Sequence, residues 1–210
     1  MLKKCVLCLL LLVSSSATAQ TPPGQIEITP FGAYTFGGSF SDLESDISVK
    51  LKDAPSYGLI LNFRHGFNTQ WEVIYSQQST EADIRNATSP TAPLDMKIHY
   101  IQGGGTYQGD GEKVRPYLAA TVGAAHFDVT TPDYDSDTFF SFSIAPGIQI
   151  MPSSRFGIRL EARAWGTLIR SGTNLFCISD QGGGSAGCAV TLAGEVFWQI
   201  QTSAGFVFRF

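Results

Sequence analysis

Between Arg155 and Trp165 polar and apolar residues take turns, with Arg159, Glu161 and Arg163 at odd positions and Phe156, Ile158, Leu160, Ala162 and Ala164 between them. A period of two marks a strand whose faces meet different surroundings. The alternation recurs along the chain. Val196, Trp198, Ile200, Ala204, Phe206, Phe208 and Phe210 share one face of the last segment, opposite Gln199, Gln201, Ser203, Gly205 and Arg209. Tyr57, Leu59, Leu61 and Phe63 oppose Ser56, Gly58, Asn62 and Arg64. Trp71, Val73 and Tyr75 oppose Glu72, Ser76 and Gln78, and Phe140, Phe142, Ile144, Ile148 and Ile150 oppose Ser141, Ser143, Gly147 and Gln149. No dozen-residue segment has the 3.6-residue period of a helix.

The pattern predicts eight strands, approximately 25–37, 54–65, 69–79, 94–108, 115–129, 137–151, 155–170 and 192–210. Long connections cover 38–53, 80–93, 130–136 and 171–191. They alternate with the tight turns "GFN", "GDGEK" and "PSS", which are rich in turn formers. This order suits an up-and-down topology with both termini on the side of the short turns. An apolar face eight strands wide needs a cover, and the chain offers neither helix nor second sheet. About 25 apolar side chains left in water would cost roughly 1.5–3 kcal/mol each. The face therefore meets lipid, where an antiparallel sheet satisfies its backbone only by closing on itself. The expected fold is all-β, an eight-stranded antiparallel up-and-down transmembrane β-barrel.

Composition agrees: 22 glycines, 12% aromatic and only 15% charged residues in 210, against about 25% charged in an average globular domain. The charged residues then point inward. Arg64, Glu72, Lys97, His99, Arg159, Glu161 and Arg163, with Arg209, are expected to form an interior ion-pair network that plugs the barrel. The alternative is a narrow conduit for small solutes lined by the same residues.

The first residues read as a targeting segment. "MLKK" is a charged start, "VLCLLLLV" an apolar run too short to span a bilayer, and Ala17-Thr18-Ala19 a small-x-small cleavage signal. The expected division is a signal peptide 1–19, a short periplasmic leader 20–24 and a barrel domain 25–210. Loss of Lys3 and Lys4 from 14 basic residues leaves 12 against 18 acidic ones, a balance that attracts no nucleic acid. Cys177 and Cys188 remain in "CISDQGGGSAGC", and a close pair in an oxidising compartment reads as a disulfide. Direct opposition of these two gives paired numbers that sum to an odd value, whereas inward residues of the last two strands are all odd-numbered and sum to even. A bulge or loose segment must intervene, with Gly172 or Gly194 as candidates.

The signal segment, the alternating strands and the terminal "GFVFRF" together resemble the small outer-membrane β-barrel proteins of Gram-negative bacteria, the OmpA-like transmembrane domain and OmpX-type group. The resemblance covers residues 25–210. It implies a cell outer membrane location, with outer-membrane lipids and lipopolysaccharide around the barrel. It also implies an assembly signal at Phe206, Phe208 and Phe210 read by the barrel-assembly machinery. Members include adhesins, surface-defence proteins, lipid-modifying enzymes and narrow conduits. No peptidoglycan-binding domain is expected after the barrel, so a tether to the wall is not implied.

The lipid A deacylases, which the chain distantly resembles, use a His and a Ser two residues apart. The nearest match, His126-Phe127-Asp128, has no serine at the nucleophile's place, so the chain is expected not to be an enzyme and to need no cofactor, with a lipid-modifying barrel enzyme as the last alternative. The acidic runs "DLESD" (42–46) and "DYDSD" (133–137) read as solvated loops, with a hard cation as the sharper alternative. The expected function is surface interaction or envelope integrity through the outer loops. Loop 171–191 is the foremost candidate for a surface ligand, and the protein is expected to be a monomer.

Overall fold

In a computed structural model, residues 26–41, 48–85, 94–130, 136–169, 177–179, 185–188 and 196–210 are described below. The expected signal segment and leader, all of the acidic run 42–46, most of the run 133–137, and Gly172 and Gly194 lie outside them. The described residues form twelve strands: β1 (Ile26–Phe36), β2 (Ser39–Ser41), β3 (Ser48–Leu51), β4 (Ala54–Arg64), β5 (Thr69–Arg85), β6 (Leu94–Gln108), β7 (Val114–Val129), β8 (Asp137–Ile150), β9 (Phe156–Leu168), β10 (Cys177–Ser179), β11 (Ser185–Cys188) and β12 (Val196–Arg209).

Eight of them, β1, β4, β5, β6, β7, β8, β9 and β12, pair each with the next in antiparallel order. β12 returns to β1, with Glu27 opposite Arg209 and Phe36 opposite Ile200, and this closes the barrel. Closure matters because a sheet in lipid can leave no edge unpaired. The short turns and Phe210 share one end, named the periplasmic end below after the side that short turns face in outer-membrane barrels.

The strand boundaries differ from the expected ones chiefly in β5, which continues past Ser79 to Arg85. Its extension is held on both edges: Ala82 pairs with Leu51 of β3 and with Leu94 of β6. Leu51 and Ala82 are buried, and Lys52 reaches Glu81 at 2.7 Å. The connection 38–53 is thus no plain loop. Its residues 39–41 and 48–51 pair as β2 and β3, and β3 pairs in turn with the extended β5.

Side chains alternate as a barrel requires. Tyr57, Trp71, Ile101, Phe140, Ile144, Ile158, Trp198 and Phe206 face outward and are exposed, while Asn62, Glu72, Gln102, Ser141, Arg163 and Gln199 are buried in the lumen. Glycine is needed where interior side chains crowd the wall. A Cβ on Gly147 would collide with the Tyr117 hydroxyl and stand 2.7 Å from the Leu160 carbonyl.

The lumen is layered rather than uniformly polar. Its outer reach is apolar, with Leu51, Ile60, Ile74, Met96, Ile98, Tyr100, Phe127, Phe139, Trp165 and Phe197 in one buried cluster. Tyr100 stacks on Trp165 with ring centres 4.2 Å apart. Charged and amide groups fill the periplasmic reach. β6 records the change in one strand. Its even residues face inward throughout, but they run Leu94, Met96, Ile98 and Tyr100 above and Gln102, Gly104, Thr106 and Gln108 below.

Candidate functional site

Four buried charged side chains meet in the lumen. The Arg159 guanidinium reaches Glu72 Oε2 at 2.8 Å and Glu161 Oε2 at 2.7 Å, and Arg163 reaches Glu72 Oε1 and Glu161 Oε1, both at 2.7 Å. Each arginine therefore bridges both glutamates, in a closed ring of alternating charge. None of the four side chains is more than 4% exposed. Burial of this kind is sustained only by pairing and by satisfied donors and acceptors.

The strands dictate the arrangement. Arg159, Glu161 and Arg163 occupy successive inward positions of β9, and Glu72 comes from β5 across the lumen. Neutral groups complete the shell. Asn62 donates to Glu72 Oε2 at 3.2 Å and accepts from Arg159 Nη1 at 3.0 Å, while Thr106 donates to Glu72 Oε2 at 2.7 Å. Tyr117 donates to Glu161 Oε2 at 2.8 Å and its ring lies 4.3 Å below the Arg159 guanidinium carbon. Ser143 accepts from Arg163 Nη1 at 2.8 Å.

A second polar layer lies toward the periplasmic end. Arg209 donates to Glu27 Oε1 at 2.8 Å through Nε, and Gln149 donates to Glu27 Oε2 at 2.9 Å. Toward the outer end, Gln201 donates to Thr35 at 3.0 Å and to Ser56 at 2.9 Å, and Tyr100 donates to Gln199 at 2.8 Å. Glu27, Tyr117 and this amide layer were not among the expected site residues. Glu27 could have been found by parity, since it shares the inward face of β1 with Thr29 and Thr35.

Three expected members of the network stand elsewhere. Arg64 is exposed at the periplasmic end of β4. Lys97 and His99 are on the outward face of β6, where His99 pairs with His126 and Lys97 with Asp128. The reason is the apolar outer lumen. There Met96 and Ile98 take the interior and the polar residues face out, the reverse of the order within the lipid band.

The backbone sets Cys177 directly opposite Cys188 in the β10–β11 ladder. Paired numbers sum to 365 there and to 364 along β9–β12, where Val196 opposes Leu168. The ladder of the loop is therefore out of register with the barrel hairpin by one residue. A further shift follows between Ile178 and Ser179.

Among the described residues no three His, Cys, Asp or Glu side chains converge as metal ligands. His126 Nδ1 lies 2.9 Å from the Thr138 hydroxyl, on the outer face of the barrel.

Comparison with known proteins agrees with this geometry. Neisserial surface protein A superposes with a TM-score of 0.55 at 18% identity, over 88% of this chain and 97% of that one. OprG from Pseudomonas aeruginosa gives 0.58 at 13% identity, over 91% and 98%. These likenesses speak for the fold alone. A search of curated proteins finds no match. The model of the outer membrane protein beta-barrel domain matches residues 5–208, and the chain belongs to that outer-membrane family.

Proposed function

We propose that the protein works at the cell surface through its outer loops, in surface interaction or envelope integrity, on a barrel whose lumen is held shut. The ring of Glu72, Arg159, Glu161 and Arg163 beneath the apolar outer layer carries this reading. A hydrated ion entering from outside would first lose its water among Phe127, Phe139 and Phe197. It would then have to part ion pairs that have no water to replace them. A lumen so filled leaves the outer surface as the working part of the molecule.

The outer surface is also where the chain invests structure. Strands β2 and β3 and the extension of β5 build out from the barrel, and the β10–β11 ladder sits in connection 171–191. A disulfide between Cys177 and Cys188 would fix that ladder and lower the ordering cost of contact with a partner. A cleaved signal peptide, assembly through Phe206, Phe208 and Phe210, and a monomer in contact with lipopolysaccharide complete the proposal. The test is to replace residues 171–191 by a short turn. Loss of cell-surface binding or of envelope resistance from an intact, correctly inserted barrel supports the reading. Discrete conductance of the unaltered protein in planar bilayers overturns it in favour of a conduit.

A further inference from the structure

Four neighbouring strands leave the apolar band at the same row. Their outward residues are apolar up to Tyr75 on β5, Ile101 on β6, Ala124 on β7 and Phe140 on β8. The next outward residues are Gln77, His99, His126 and Thr138, each opposed to the next: Gln77 to His99, His99 to His126, and His126 to Thr138. Two imidazoles thus stand side by side on the outside of the barrel, at the upper edge of its lipid-facing surface. Their ring centres are 6.3 Å apart.

Hydrogen bonds orient both rings. The Tyr75 hydroxyl lies 2.9 Å from His99 Nδ1 and donates to Gln77 Oε1 at 3.2 Å. With that hydrogen engaged by Gln77, the phenol oxygen accepts from His99 Nδ1–H, and the lone pair of His99 falls on Nε2. The Thr138 hydroxyl lies 2.9 Å from Nδ1 of His126, and in the tautomer that leaves Nε2 of His126 with its lone pair the hydroxyl oxygen accepts from Nδ1–H. A ring nitrogen tied to an oxygen while the other is free is the arrangement found around metal-ligating histidines. At metal–nitrogen distances of about 2.0–2.1 Å each ring centre stands about 3.2 Å from the ion. Two imidazoles on one ion therefore have centres roughly 5–6.4 Å apart. The observed spacing is at the upper end of that range, above the roughly 5.2 Å of a tetrahedral pair, so the two rings must turn toward each other to hold an ion in that geometry.

We propose that His99 and His126 form a two-imidazole site for a divalent transition-metal ion on the outer face of the barrel. The donor set suits zinc, nickel or copper rather than calcium or magnesium, which prefer oxygen. Asp128 lies one outward position beyond His126, opposite Lys97, so the nearest fixed charges balance and the cation is not repelled. Water completes the coordination, which places the affinity well below that of a closed structural zinc site. Tyr75 and Thr138 are positioning residues.

The test is a Zn2+ titration of the processed protein in detergent micelles, free of any added histidine tag, with Cu2+ electron paramagnetic resonance as a second readout. One saturable equivalent and nitrogen hyperfine coupling are expected. Both should be lost in His99→Ala and in His126→Ala and kept in His65→Ala. Tyr75→Phe should weaken binding about tenfold, as removal of an outer-shell partner does. None of the four side chains is buried, so the variants are expected to keep the fold, checked by heat-modifiable mobility. Absence of saturable binding, or binding that survives both histidine variants, overturns the proposal.

Discussion

Glu72 shows most plainly what a single side chain does in this lumen. Its two carboxylate oxygens each take an arginine, and Thr106 and Asn62 add hydrogen bonds to Oε2. Glu72→Ala would leave two guanidinium groups sharing one carboxylate out of water. We expect a loss of about 3–5 kcal/mol, the usual cost of breaking a buried pair from one side. Urea unfolding in detergent followed by tryptophan fluorescence measures it. Adding Arg159→Met restores the charge balance, so the double variant should lose less than the sum of the single ones. Gly147 answers to the same network, because its bare Cα leaves room for the Tyr117 hydroxyl that serves Arg159 and Glu161. Gly147→Ala should destabilise by about 1–3 kcal/mol through overpacking, and the same unfolding curve reads it. Three of the four ring members were legible together in the sequence, as odd positions of one alternating strand. Glu72 was legible by its place opposite Trp71 and Val73. Their mutual contacts were not, since those depend on how the strands are staggered around the barrel.

β6 shows how far alternation alone carries an element. Its face assignment is constant, yet hydrophobicity changes sides near Tyr100, because above that point the lumen is apolar and the outside is wet. A reader who assumes polar-in along the whole strand places Lys97 and His99 inside. The pairing sums are decisive where hydrophobicity is not. Even residues of β6 oppose odd residues of β7, so Ile98 joins Phe127 in the interior and His99 joins His126 outside. The extension of β5 was hidden for a related reason. Beyond Ser79 its inward side carries Thr80 and Ala82, too small to announce a strand, and its partner β3 lies in a connection without strong alternation. The one-residue mismatch between the β10–β11 ladder and the β9–β12 pairing, by contrast, follows from counting parity once Cys177 and Cys188 stand opposite each other, and the ladder supplies that opposition. The edge of the lipid band can be tested at this scale. Ile144→Lys, midway along the outward face of β8, should cost about 2–4 kcal/mol. Gln77→Lys, in the first polar row, should cost about 0–1 kcal/mol. Equal costs at the two positions would mean that the band does not end where the side chains change.

For the molecule as a whole, architecture was legible and occupation was not. Eight alternating segments joined by alternately long and short connections allow one economical closed form, and β12 returning to β1 supplies it. Side-chain volume and stagger decide that the lumen is filled by an ionic ring below and aromatic groups above, and a one-dimensional pattern does not contain them. The entire account depends on which face of each strand meets lipid. Nitroxide scanning of positions 157–168 along β9, in protein with Cys177 and Cys188 changed to serine and reconstituted in bilayers, measures that face directly. Even positions such as 158, 160 and 164 should be accessible to dissolved oxygen and shielded from an aqueous nickel chelate. Odd positions 159, 161 and 163 should be shielded from both. Access of the chelate to the odd positions, or a scan without a two-residue period, would contradict the closed, charge-filled barrel.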